Sequence, residues 1–237
     1  MSFTNDLSFH GKVAIVTGSG RPSGIGAAIA AALTVRGACV TIDYVYDASA
    51  PRAAEVVESI RAKGGKATVV RGDIDILVNN AGIAPMTPTV EVTPEEMASV
   101  FRTNIQGPLF LIQAALPYIP RGGCIINIST CLSRMGLHSP VYTTSKPALD
   151  SLTHTWALEF GRKFCITVNA IAPGITKTEI SPPNDHPEVR RLLDMTRLEG
   201  RMGTIEEIAD AVVLVASPLS GWITGQYISV SGGVNWI

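Results

Sequence analysis

The stretch that most narrows what this chain can become is Lys12-Val13-Ala14-Ile15-Val16-Thr17, followed directly by Gly18-Ser19-Gly20-Arg21-Pro22-Ser23-Gly24-Ile25-Gly26. A short continuous apolar run is the pattern of a strand buried on both faces, and such strands belong to parallel sheets covered by helices. The alanine-rich segment from Ala27 to about Arg36, closed by Gly37, predicts a helix that starts where the glycine loop ends. Strand, glycine loop and helix N-terminus in that order make a pyrophosphate site. Glycines let a ligand approach the backbone, while free N–H groups and the positive end of the helix dipole face its phosphates. The expected fold class is α/β, a Rossmann-like doubly wound parallel sheet.

The rest of the chain continues the alternation. Ala38 to Ile42 predicts a second strand and Pro51 to Lys63 a helix, with Ala54, Val57 and Ile60 at helical spacing and Gly64-Gly65 as its stop. Ala67 to Arg71 is a third-strand candidate, and Ile76 to Asn79 a fourth strand. Thr93 caps a helix whose first turn holds Pro94 and which runs through Asn104 towards Tyr118. Cys124 to Ile128 and Thr167 to Ala172 read as strands, Glu206 to Ala216 as a helix and Tyr227 to Val230 as the last strand. Glu179 to Arg201 is polar, carries three prolines and has little periodicity, which predicts a lid that sets substrate choice. No linker interrupts the 237 residues, so a single domain over 1–237 is expected.

Charge and cysteine usage exclude several partners. The net charge of −1, with no basic run, disfavours nucleic acid and anionic membrane. The apolar stretches are too short to cross a bilayer, and Met1 to His10 is polar, which predicts a soluble, cytoplasmic protein. Cys39, Cys124, Cys131 and Cys165 are widely spaced, as buried reduced thiols would be, and His10, His138, His154 and His186 show no metal-ligand spacing. No metal site is expected.

Chemistry enters with Tyr142-Thr143-Thr144-Ser145-Lys146. On a helix over Val141 to Phe164, Tyr142 and Lys146 stand one turn apart on one face. A neighbouring ammonium stabilises a phenolate and lowers the phenol pKa, so such a tyrosine can pass a proton near neutrality. Ser129 and Thr130, at the end of the Cys124 to Ile128 strand, can hold a carbonyl oxygen against the phenol.

These motifs together resemble the short-chain dehydrogenase/reductase family. The glycine loop TGSGRPSGIG is similar to its TGxxxGxG signature, Asn79-Asn80-Ala81-Gly82 to its NNAG, and Tyr142 to Lys146 to its YxxxK. Asn104, Asn169, Pro173-Gly174, Thr178, Thr224-Gly225-Gln226 and Ser231-Gly232-Gly233 follow in the family's order, so the resemblance covers nearly the whole chain. It implies hydride transfer between a nicotinamide and a ketone or secondary alcohol, with Ser129 or Thr130 on the oxygen, Tyr142 as proton donor, Lys146 beside it and Asn104 completing a proton relay. The common spacing of thirteen residues before Tyr142 narrowly favours Ser129, whereas motif alignment points to Thr130. Cofactor contacts are implied at Gly18, Gly20, Arg21, Gly24, Ile25, Gly26, Tyr44, Asp73, Asn79, Tyr142, Lys146, Pro173, Gly174, Thr176 and Thr178. Arg21 in the loop and Tyr44 after the second strand favour NADP(H) over NAD(H), against which Asp43 stands. The resemblance also implies a homotetramer or homodimer built on the helices containing Asn104 and Tyr142.

Three departures qualify that picture. Five residues separate Gly18 from Gly24 where the family has three, so Arg21-Pro22-Ser23 should bulge, and Pro22 can cost the phosphate cradle a donor. Pro147 follows the lysine inside the expected helix, where it removes a backbone bond and threatens the lysine's aim. Most unusual, Gly72-Asp73-Ile74 runs straight into Asp75-Ile76, where the family inserts a crossover helix. In the strand order 3-2-1-4-5-6-7 the third and fourth strands are about 14 Å apart, and restarting from the opposite edge adds about 17 Å. A connection of roughly 22 Å needs about seven residues, and only two or three are free. The fourth strand should stay central because it feeds the NNAG turn, with the third lost, frayed or shortened and Asp73 misplaced. The alternative to an active enzyme is then an impaired or inactive dinucleotide-fold protein, a truncated isoform or a binding subunit.

Overall fold

The computed structural model describes residues 7–42, 50–62, 64, 66–67, 73–135, 140–179, 181, 183 and 185–235. Tyr44, Asp43, His138 and most of the third-strand candidate lie outside them. Seven parallel strands form one sheet in the order β3-β2-β1-β4-β5-β6-β7. They are β1 (Val13–Val16), β2 (Cys39–Ile42), β3 (Lys66–Ala67), β4 (Ile76–Asn79), β5 (Cys124–Ile128), β6 (Thr167–Pro173) and β7 (Tyr227–Val230). The helices are α1 (Ile25–Val35), α2 (Ala50–Ala62), α3 (Pro94–Phe101), α4 (Gly107–Ala115), α5 (Pro140–Phe164), α6 (Pro187–Met195) and α7 (Ile205–Ala216).

Each face of the sheet carries its own core. Val16, Val40, Val78 and Ile126 pack with Ile29 and Leu33 of α1 and Val212 of α7 on one side. Leu77, Ile125 and Val168 pack with Ile112 of α4 and Leu149, Trp156 and Phe160 of α5 on the other. Strands covered on both faces need no polar alternation, which is why β4 and β5 read as unbroken apolar runs.

The missing crossover is resolved by register. Ala67 pairs with Val40, Val40 with Ala14, and Ala14 with Ile76, so all four lie in one row across the sheet. Ala67, the last described residue of β3, lies level with Ile76, the first residue of β4, so the net displacement between them is lateral. The lateral step of about 14 Å is within reach of residues 68–75. The two described residues of β3 keep the family's place beside β2, in line with the expectation of a shortened third strand. Asp75 anchors the start of β4: its carboxylate accepts from Lys12 Nζ at 2.8 Å and from the Val13 N–H at 2.9 Å.

Two further expectations change. The Glu179 to Arg201 stretch contains α6, whose Val189 and Leu192 are buried, so the expected loop is partly helical. Cys39 is partly exposed and Cys165, held at φ +55°, is exposed, so two of the four thiols are not buried. Among the described residues no helix is long and apolar enough to cross a membrane.

Candidate active site

The glycine loop is clamped from the far side by the NNAG turn. Thr17 Oγ1 accepts from the Asn80 and Ala81 N–H groups at 3.0 Å, and Asn80 Nδ2 donates to the Thr17 carbonyl at 2.8 Å. The fit leaves no room for side chains. Gly18 sits at φ +64°, where a Cβ would come within 2.9 Å of Ala81 Cα, and a Cβ on Gly26 would meet Asn80 Nδ2 at 2.5 Å. Gly20 is buried beside them. The two extra residues are absorbed by a turn in which the Gly24 N–H donates to the Arg21 carbonyl at 3.0 Å. Pro22 takes the corner of that turn, where a fixed φ is favourable, and is exposed, so its missing N–H leaves no buried acceptor unmatched.

Gly24 caps α1 without any side-chain bond, and no acidic residue follows in the first turn that starts at Ile25. The helix end is thus open to an anion. Beside it, Glu179 pairs with Arg52 and, at 3.9 Å, with Arg21, and Ser23 Oγ donates to the same carboxylate at 3.4 Å. Arg52 and Glu179 were not singled out by sequence reasoning; nothing local marks them, since the contact joins α2 to the stretch after β6.

Two expected contacts fall elsewhere. Asp73 precedes Asp75, which bonds the start of β1, so it stands at the sheet edge opposite the glycine loop. The lost crossover is the cause: no chain is left to bring Asp73 to the other end. Asn79 is buried in the sheet, donating to Asn127 Oδ1 of β5 at 2.7 Å, and it is Asn80 that holds the loop.

At the far end of the cleft α5 brings Tyr142 and Lys146 together as the four-residue spacing predicts. Pro147 does not break the helix, and Lys146, 4% exposed, donates to the Ile128 carbonyl at 2.7 Å, which fixes its aim. Its Nζ lies 5.8 Å from the centre of the Tyr142 ring. Burial pushes the phenol up to about 12, opposed by a hydrogen bond from the Thr130 hydroxyl. Burial also pulls the Lys146 ammonium down to about 8, opposed by Asp150. The expected lowering of the phenol pKa is therefore corrected: in this enclosed site desolvation of the phenolate exceeds what its neighbours return.

It is the Thr130 hydroxyl, rather than that of Ser129 favoured by spacing, that acts on the phenol and restrains the rise of its pKa. Thr130 Oγ1 also accepts the Leu132 N–H at 3.3 Å, which orients it. Ser129 Oγ is buried and faces Asp150.

Asn104 sits in a single π-turn, Arg102–Gln106, between α3 and α4. Pro108 has no N–H to donate to the Asn104 carbonyl, as an α-helix would require, and the Gly107 N–H bonds Arg102 instead. The Asn104 amide closes on the NNAG turn and on α5: Oδ1 accepts the Ile83 N–H at 2.9 Å, and Nδ2 donates to the Ile83 carbonyl and to Ser145 Oγ, both at 3.0 Å. Gly82 lies against both Asn104 Oδ1 and Lys146 Nζ, so the relay residues converge there.

After β6, Pro173-Gly174 passes tightly against Ser231, where a Cβ on Gly174 would stand 2.7 Å from Ser231 Cα. Thr176 Oγ1 donates to the Gly174 carbonyl at 3.0 Å, and the Thr178 N–H and hydroxyl both engage Ser181 Oγ at 2.9 Å. Tyr227 of β7, also missed from sequence, donates its hydroxyl to the Thr130 carbonyl at 3.0 Å. The residues fit a nicotinamide dinucleotide: an open helix end and a glycine cradle for phosphates, two arginines beside them, and a phenol–ammonium pair at the other end.

Comparison with known proteins agrees. A family model described as Enoyl-(Acyl carrier protein) reductase matches residues 65–235. The chain is 35% identical to the short-chain dehydrogenase/reductase FrzI of Cladobotryum sp, over 94% of this chain and 95% of FrzI. It is 34% identical to hydroxynaphthalene reductase arp2 of Aspergillus fumigatus, over 94% and 92%. The crystal structure of the angucycline C-6 ketoreductase LanV with bound NADP superposes with a TM-score of 0.86 at 37% identity, covering 97% of this chain and 96% of that one.

Proposed function

The chain belongs to the short-chain dehydrogenase/reductase family, an NAD(P)-dependent oxidoreductase on that ground, and from this premise we propose that it is an NADPH-dependent reductase of cyclic ketones. The observation that carries the reading is the row Thr130, Tyr142, Lys146 at one end of a glycine-lined cleft. Bound nicotinamide supplies the hydride that the carbonyl carbon gains. Thr130 donates to the carbonyl oxygen and holds it against the phenol. Tyr142 gives that oxygen its proton, so the ketone becomes a secondary alcohol while the nicotinamide is oxidised. Lys146 places a positive charge beside the developing phenolate, and Asn104 holds the NNAG turn and α5 in register around it.

Gly18, Gly20, Gly24, Ile25 and Gly26 would hold the pyrophosphate, and Pro173, Gly174, Thr176 and Thr178 the carboxamide end. Arg21 and Arg52 support a 2′-phosphate and hence NADP(H). A homodimer or homotetramer built on α4 and α5 is supported by Phe110 and Leu158, large apolar side chains exposed on those helices. The names of arp2 and LanV suggest a ketone fused to an aromatic ring as the first substrate to try.

The test is NADPH oxidation with 1-tetralone, paired with NADPH fluorescence titration. We expect turnover that Tyr142→Phe lowers by at least about a hundredfold with NADPH affinity nearly unchanged. Full activity in the phenylalanine variant would sink the assignment. NADPH binding without turnover on a panel of cyclic ketones would favour a binding subunit, and loss of both would mark an impaired chain, a reading favoured by the two-residue β3.

A further inference from the structure

Of the buried side-chain polar atoms without a hydrogen-bond partner among the described residues, four meet in one place: Ser129 Oγ, Ser133 Oγ and both carboxylate oxygens of Asp150. Asp150 is one helical turn beyond Lys146, so Tyr142, Lys146 and Asp150 form a row along one face of α5. The end of β5 brings Ser129, itself 3% exposed, to the carboxylate of the half-buried Asp150, and the turn Cys131–Arg134 brings Ser133 and the Arg134 guanidinium. Neither hydroxyl meets Asp150 in full hydrogen-bond geometry. A carboxylate so placed, without a full hydrogen bond among the described residues, returns little of the cost of its desolvation to the fold. Its value has to lie in the charge itself.

The group that uses such a charge is Lys146. Among the described residues its buried ammonium donates to the neutral Ile128 carbonyl and otherwise lies over the Tyr142 ring. The other charged or titratable groups around Asp150 are Arg134, the phenols of Tyr142 and Tyr227, and the Cys131 thiol near those phenols. Both phenols and the thiol are held neutral by burial, with the thiol pushed up to about 11. Arg134 stacks 4.1 Å over the Tyr227 ring and adds a second positive charge. Among the described residues facing this cluster, Asp150 is thus the anion that can balance Lys146.

We propose that Asp150 is a positioning residue whose carboxylate keeps Lys146 in its ammonium form and so sets the upper pH limit of the Tyr142–Lys146 pair. The proposal rests on the ketoreductase reading, and its direction follows from charge. Burial lowers the pKa of Lys146 to about 8 and Asp150 opposes that fall. A neutral residue at 150 removes the opposition, so Lys146 loses its proton at lower pH. Burial raises the pKa of Asp150 itself, while Ser129, Ser133, Arg134 and Lys146 restrain the rise.

The experiment compares wild type, Asp150→Asn, Asp150→Ser and Asp150→Glu. Two readouts are followed against pH: turnover with 1-tetralone, and NADPH affinity by fluorescence, which senses the Lys146 charge without chemistry. In wild type both fall as pH rises through about 8. In the Asn and Ser variants the fall moves about one pH unit or more towards acid, and in the Glu variant it stays near wild type. Thermal midpoints of the neutral variants stay close to wild type, since relief of the carboxylate's desolvation offsets the loss of its attraction to Lys146 and Arg134. Coincident wild-type and Asn profiles would overturn the proposal, as would neutral variants that fail to fold, because Asp150 would then be structural. Absence of turnover in every protein with a shifted NADPH profile would reject the ketoreductase reading while leaving the role of Asp150 intact.

Discussion

Lys146 works against the fold that holds it. A lysine in water has a pKa near 10.5, and in its place behind the phenol burial has brought it to about 8. The native state therefore binds this proton less readily than the unfolded chain. Linkage gives the sign: the cost is fully present below about 8, shrinks as pH rises and is gone above the unfolded value. Its size is on the order of 3 kcal/mol near neutrality, and the hydrogen bond to Ile128 returns about 1 kcal/mol of it. Lys146→Met is therefore expected to be inactive yet more stable at pH 7 by roughly 2 kcal/mol, with the difference fading above pH 10. Urea midpoints at pH 7 and pH 10 check this, and a variant less stable than wild type at pH 7 would show that the ammonium supports the fold. The Tyr142–Lys146 pairing was legible from spacing alone. Its electrostatics were not, because a four-residue interval says nothing of how deeply α5 is covered.

Helix α5 carries the pair across a proline. Pro147 cannot donate to the Thr143 carbonyl, yet the helix continues from Pro140 to Phe164 because Leu149, Trp156 and Phe160 pin it to the sheet. Packing thus overrides a local penalty of up to about 3 kcal/mol. Pro147→Ala is expected to raise stability by about 1–3 kcal/mol, read as a higher urea midpoint, with the chevron changing mainly in its unfolding arm. No gain would mean that the helix already accommodates the ring without loss. The same contest between local signal and packing decides what else could be read in advance. The strands β4, β5 and β7 were legible to the residue, since their ends are fixed by turns and by apolar runs. Helix α6 was not, because it shows the core only Val189 and Leu192 amid three nearby prolines. The π-turn at Asn104 had a signal, Pro108 four residues on, that was overlooked. Asp150 had one too, a second four-residue step beyond Lys146, but its meaning depends on the Cys131–Arg134 turn folding over it. The preference for Ser129 rested on a common spacing, whereas one residue fewer before Tyr142 carries Thr130 to the phenol.

At the scale of the molecule the two halves of the sheet differ in how firmly they are built. β4 and β5 are buried at every position and β6 at all but its first, with helices on both faces. The β2 side ends in a two-residue β3, and β2 itself has one fully buried position. Opening of β2 and β3 exposes little apolar surface, whereas opening of β5 exposes both cores, so local unfolding should begin at the short edge. Native-state hydrogen exchange is expected to find the Leu77, Ile126 and Val168 amides exchanging only through global unfolding, and the Val40 and Ile42 amides through a cheaper local opening. The proposed chemistry stands on the firm half, at the ends of β5 and β6, and the adenosine end of a dinucleotide would rest on the weaker one. Saturating NADPH should then slow exchange in β1 and β2 more than in β5. Equal slowing in all strands would mean that the shortened third strand leaves the sheet as cooperative as a full one.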